Sequence, residues 1–171
     1  MEDAGRRLFA CAVRAGFGTG SRVHAVGDGA PWIVGQIEER FGEQGSYLID
    51  FYRVCEYLSA AAKTIAPDAA AAKVWMEAQK DVLKAERTGA VLFALLRHCE
   101  SPDVCDEQAP VRVCHRYLSA RKSQLNYREA IAECHDVGDA FAPKATGKRD
   151  VILQAQGRSL RRLMSSIMLG D

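Results

Sequence analysis

No apolar run in this chain approaches the length of a membrane span. The longest, AVLFALL at residues 90–96, falls far short of the about 20 residues that a bilayer-crossing helix needs. No secretory leader is expected either. The opening MEDAGRRLFACAVRAGF carries acids early and only a short apolar stretch, unlike a signal peptide. The expected location is cytoplasmic, with no membrane partner. Excess charge of either sign is also lacking. Twenty-three Lys and Arg against 22 Asp and Glu leave a formal net charge of +1, so any nucleic-acid-binding surface must be local. There is no Cys-x-x-Cys, no internal repeat, and no low-complexity segment beyond the alanines at 69–72.

The six cysteines are Cys11, Cys55, Cys99, Cys105, Cys114 and Cys134. Three adjoin a histidine, in His98-Cys99, Cys114-His115 and Cys134-His135. A structural zinc needs four ligands converging on tetrahedral geometry, and these spacings match no finger pattern. Reduced thiols on helix faces are the expected state. What the chain does have is the material for a core. Its 171 residues are 48% hydrophobic and 26% charged, as in a folded domain.

Periodicity supplies the elements. Residues 4–16 predict a helix with Leu8, Phe9, Ala12 and Val13 on one face, stopped by Gly16 and Gly18. The stretch RVHAVGD at 22–28 alternates apolar and polar and predicts a short strand. Pro31 suits the first turn of a following helix, with Trp32, Ile33, Ile37 and Phe41 as its apolar stripe. GEQG predicts a turn and SYLID at 46–50 a second strand. From Phe51 the pattern becomes mostly helical. Asp68 is placed to cap the helix that begins in the alanine run, and further helices are expected at about 90–100, about 106–123 and 127–133. The tail from 136 reads as a loop followed by a weakly amphipathic stretch interrupted at Gly157. Its Lys144, Lys148, Arg149, Arg158, Arg161 and Arg162 make a local basic patch. Such a patch is either a solvated tail or a set of phosphate contacts for DNA, with Arg158, Arg161 and Arg162 as the contacting residues.

Asp28 is the residue whose placement asks for a reason. It sits in Gly-Asp-Gly, at the carboxyl end of the first expected strand. Sites in open α/β sheets form beyond the carboxyl ends of strands. An aspartate there either shapes the turn or holds a hard cation such as Mg²⁺. Asp50 ends the second strand, where it either caps the next helix or lies beside Asp28 if the strands are neighbours. GFGTG at 16–20 follows a helix, whereas a dinucleotide fingerprint follows a strand.

The segment VHAVGDGAPWIVGQIEERFGEQGSYLIDFYRVCEYLSAAA, from Val23 to Ala62, resembles the catalytic core of bacterial DDE insertion-sequence transposases of the ISKra type. The resemblance rests on Asp28-Gly29-Ala30-Pro31-Trp32-Ile33, Asp50-Phe51-Tyr52 and Glu56-Tyr57-Leu58. It implies an α/β fold with a partial RNase H-like core at residues 1–62, built on two short strands. An α-helical insertion at 63–135 and a basic divergent tail at 136–171 would follow. It further implies metal-dependent DNA cleavage and strand transfer on Mg²⁺ held by three acids, with Asp28 as the second acid and a metal ligand. DNA at the element's ends is the implied partner, and homo-oligomerisation is left open.

The chain departs from that pattern at three points. Only Glu2 and Asp3 precede Asp28 as acids, both at a helix start, and no glutamate follows Glu133. Arg53 stands where the family carries histidine, and arginine serves as neither neutral ligand nor base. The expectation is a truncated transposase, inactive alone. The alternatives are a small helical DNA-binding or regulatory protein without catalysis, and an unrelated small α/β enzyme.

Overall fold

The computed structural model describes residues 2–130 and 150–155. These divide into two compact units, one from within Met1–Asp50 and Val137–Asp171, the other from within Phe51–Asp136.

The first unit is a three-stranded sheet with two helices. Helix α1 covers Glu2–Arg14, strand β1 Arg22–Gly27, helix α2 Pro31–Phe41, strand β2 Gly45–Ile49 and strand β3 Asp150–Ala155. The strand order is β2-β1-β3, and β1 is parallel to both neighbours. Parallel pairing needs a crossover connection, and α2 is the crossover between β1 and β2. In β1 the side chains alternate, with Val23, Ala25 and Gly27 inward as a period of two requires. In α2, Ile33, Ile37 and Phe41 recur every fourth residue and are buried. They form one core with Ala12, Val23 and Ala25, flanked by Leu8, Phe17 and Tyr47. The Phe41 ring meets Phe17 edge-on at 5.1 Å and Phe9 at 5.6 Å.

Two details of the expected packing, Leu48 as the core-facing residue of the second strand opposite Val23 and Trp32 as part of the α2 stripe, are corrected. Ile49 is fully buried, whereas Leu48 is half-buried. The register pairs Val23 with Gly45, Ala25 with Tyr47 and Gly27 with Ile49, so alternation turns Gly45, Tyr47 and Ile49 inward and Leu48 to the other face. Trp32 is 40% exposed, because the stripe through 33, 37 and 41 leaves position 32 off its centre. A third strand also lies in the segment expected to be loop and weak amphipath. Val151 pairs with Val23 and Ala155 with Gly27. The rest of the expected tail, Arg158, Arg161 and Arg162 included, lies outside the described residues, as do Cys134 and His135.

The second unit is helical: α3 Phe51–Ile65, α4 Ala69–Lys84, α5 Thr88–Leu96 and α6 Pro110–Ser119. Helix α3 packs on both α4 and α6. Its Val54, Leu58, Ala61 and Ala62 are buried, as are Leu83, Val91, Leu95, Cys114 and Leu118 of the other helices in the same unit. That burial assigns α3 to the helical unit, so the division falls at Phe51 where the sequence suggested 62. Asp68 caps α4 as expected, its carboxylate accepting from the Ala71 N–H at 2.8 Å. Among the described residues no helix is long and apolar enough to cross a membrane.

Candidate functional site

β1 ends at Gly27, and the chain must turn at once to start α2. Asp28 makes that turn: its Oδ1 accepts from the Ala30 N–H at 3.1 Å, the local bond that favours aspartate in turns. Gly29 has φ +81°, a left-handed conformation open to glycine and strained for other residues. The Gly29 N–H donates to the Tyr47 hydroxyl at 2.9 Å, so β2 pins the turn from the neighbouring strand. Ala30 occupies the cap position of α2 without a side-chain bond, and Pro31 opens the helix.

The neighbouring strand ends level with it. The Asp50 N–H donates to the Gly27 carbonyl at 2.7 Å, extending the ladder one step beyond the Gly27–Ile49 pair. Asp28 and Asp50 therefore stand side by side just past the carboxyl edge of two parallel strands, both half-buried. The turn-shaping role of Asp28 is directly visible, and its proximity to Asp50 follows from strand adjacency. Among the described residues no group of three or more His, Cys, Asp or Glu side chains converges as a metal site. On the sheet face away from α2, His24 Nδ1 and Ser46 Oγ are 2.8 Å apart.

The helical unit holds polar constellations that local sequence patterns do not announce. Glu100 accepts from the backbone N–H groups of Val111 at 3.1 Å and Arg112 at 2.7 Å. It thus satisfies two donors at the N-terminus of α6 that have no partner within the helix. Burial by itself would raise the Glu100 carboxyl, but the N–H of Arg112 and the other backbone donors outweigh it, and the group titrates below its ordinary value of 4.5. The Arg112 guanidinium closes the preceding loop through the carbonyls of Ser101 and Val104 and through Asp106 at 3.1 Å. Arg116 also pairs with Asp106. These two arginines, Arg116 the more strongly, hold the Asp106 carboxyl below its usual range.

Among the described residues Cys11, Cys55, Cys99, Cys105 and Cys114 are in no disulfide. Cys114 is buried, and burial, with Cys99 nearby, pushes it up to about 12. Burial also raises Cys99.

Glu100 yields a pH prediction. A carboxyl whose folded value lies below its unfolded value adds stability above the unfolded value, and loses it as pH falls through the folded one. Glu100→Gln is expected to cost about 1–2 kcal/mol near neutral pH and to flatten the acid limb of stability below about pH 4.5. Urea unfolding at about pH 7 and about pH 3.5 checks both effects; equal losses at the two values would remove the electrostatic part of this account.

Compared with known proteins, the chain matches no family model, no characterised protein and no solved structure.

Proposed function

We propose that this chain is a transposase-derived DNA-handling protein. Its smaller unit is a partial RNase H-like core, related to metal-dependent DNA strand cleavage and transfer and inactive by itself. The observation that carries the reading is the carboxyl edge of the sheet. Asp28 follows the central parallel strand directly, α2 crosses to a parallel neighbour, and that neighbour ends in Asp50. This strand–helix–strand arrangement, with an aspartate after each strand, supports the reading.

The residues there were weighed against the Mg²⁺ that the family implies. One or two carboxylates can share a single Mg²⁺ with several waters, held loosely because the ion gives up hydration reluctantly. They do not suffice for two ions about 4 Å apart. One Asp28 oxygen is also engaged by the Ala30 N–H. Among the described residues the donor set therefore does not fit a two-ion site, which is the physical ground for proposing that the chain alone neither cuts nor joins DNA.

The test is a plasmid nicking and strand-transfer assay on purified protein with Mg²⁺ or Mn²⁺, beside Asp28→Asn. Asparagine keeps the side-chain oxygen that serves the turn and removes the charge. No metal-dependent cleavage is expected from either protein. Cleavage by the parent that disappears in Asp28→Asn would overturn the inactive reading. A second reading, a helical DNA-binding or regulatory protein, is favoured by one observation: the helical unit carries its own core. An Asp28→Asn variant that retains all DNA binding is expected under this second reading. Binding lost on removing that charge would favour the catalytic-core reading.

A further inference from the structure

We propose that the sheet face away from α2 is a docking surface for the chain's own C-terminal segment, residues 159–168, which lies across it as an amphipathic helix. The inference is independent of the DNA reading above.

The face asks for an occupant. Helices α1 and α2 both pack on the other side, where Ala12 of α1 and Ile33, Ile37 and Phe41 of α2 share one core with Val23 and Ala25. Alternation turns His24 and Val26 of β1, and Ser46 and Leu48 of β2, away from that core. Val26 and Leu48 are direct partners in the register, and both are half-buried. Among the described residues α1 and α2 are the α-helices of the sheet unit, so none of that unit's described helices covers this side. Parallel sheets occur with both faces covered, because their crossover connections put helices on each. The apolar part of the face is its carboxyl half, since Arg22 and Ser46, nearer the other end, are exposed.

The course of the chain indicates the occupant. Strand β3 ends at Ala155, level with Gly27, so the residues that follow leave the sheet at the same carboxyl edge, one step from Val26 and Leu48. Residues 156–171 come next and lie outside the described part. Their apolar members are spaced as Leu160, Leu163, Met164, Ile167 and Met168, steps of three and four that make one stripe on a helix. Arg158, Arg162 and Ser165 fall on the opposite side of such a helix. Gly157 allows the reversal of direction after the strand, and residues 156–158 make a connection of ordinary length. Ten helical residues extend about 15 Å, close to the about 17–20 Å of a strand of five or six residues. The segment thus has the position, length and apolar period to lie along the face. Docked by its stripe, it covers Val26 and Leu48 and keeps Arg158 and Arg162 in water.

The experiment is amide hydrogen exchange on the full chain, beside Leu163→Ser/Ile167→Ser. Loss of the stripe is expected to speed exchange in β1 and β2 by about tenfold. Arg158→Ser/Arg162→Ser, on the opposite side, is expected to leave it unchanged. Leu48→Ser alone is expected to speed exchange similarly. Combined with the stripe substitutions it should add little, because residues in one contact are not additive. Circular dichroism checks folding, and Val26→Thr, which keeps the side-chain shape, takes the place of Leu48→Ser if that variant unfolds. Unchanged exchange in a folded stripe variant would overturn the proposal. So would accelerations that multiply in the combined variant, since face and stripe would then be covered by different things. Sedimentation at two protein concentrations tests the other occupant. Protection that rises with concentration alongside a dimer would give the face to a second copy and overturn the intramolecular contact.

Discussion

Leu58→Ala is expected to cost about 2–5 kcal/mol, the range for emptying a packed leucine site. Leu58 is fully buried midway along α3, the helix that contacts both α4 and α6. Truncation removes the transfer energy of the side chain and leaves a cavity that rigid neighbours refill only in part. A domain's whole stability is about 5–15 kcal/mol, so the helical unit would lose a large share of its margin. Phe93→Ala is the matched control. Phe93 is larger, but 65% of it is exposed on α5, and its truncation is expected to stay within about 0.5 kcal/mol. Urea unfolding followed by circular dichroism separates the two. A loss below about 1 kcal/mol at Leu58 would mean that the α3 seam is not packed as described.

Gly45→Ala is expected to destabilise the sheet unit by about 1–3 kcal/mol, the usual range for overpacking. A Cβ on Gly45 would lie 2.8 Å from Phe41 Cβ, 3.0 Å from Ile37 Cγ2 and 3.2 Å from the Ile37 carbonyl oxygen. None of these is the free end of a flexible chain. Relief would require α2 to move off the sheet, and α2 begins at the turn held by Asp28 and Gly29. Gly35→Ala on the same helix should do the reverse. Nothing lies within 4 Å of a Cβ there, and alanine in a helix interior is worth about 0.5–1 kcal/mol over glycine. Opposite shifts in melting temperature are the expected result. Shifts of the same sign would contradict the close approach of β2 to α2.

The comparison of sequence with structure turns on the range of each signal. The β1–α2–β2 order was legible because its cues are local: alternation through Val23 and Ala25, proline at the first helical position, and a four-residue apolar period. The Asp28 turn was legible for the same reason, since glycines flank an aspartate at a strand end. Asp68 as a cap needed only the residues that follow it. The expectation that Leu48 faces the core failed because alternation depends on where a strand starts, and register is set by the partner strand.

Other features had no local trace. Glu100 caps a helix that begins ten residues later, and its bonds to Val111 and Arg112 exist only because the intervening loop folds back. Tyr47 pins Gly29 across two strands. The stack of Arg53, Tyr57, Tyr117 and Arg121 joins two helices far apart in the chain. Each cue is an ordinary residue until another element arrives beside it.

The sequence by itself determined the local elements, the strand-end position of Asp28 and the lack of a long apolar span, because each of these is written in a few consecutive residues. Only the tertiary structure decided that β3 lies against β1, that α3 belongs with the helices it follows into, and that Asp50 stands beside Asp28. Those outcomes depend on burial and pairing between distant segments, where the gain from shared apolar surface and completed hydrogen-bond ladders exceeds any local preference.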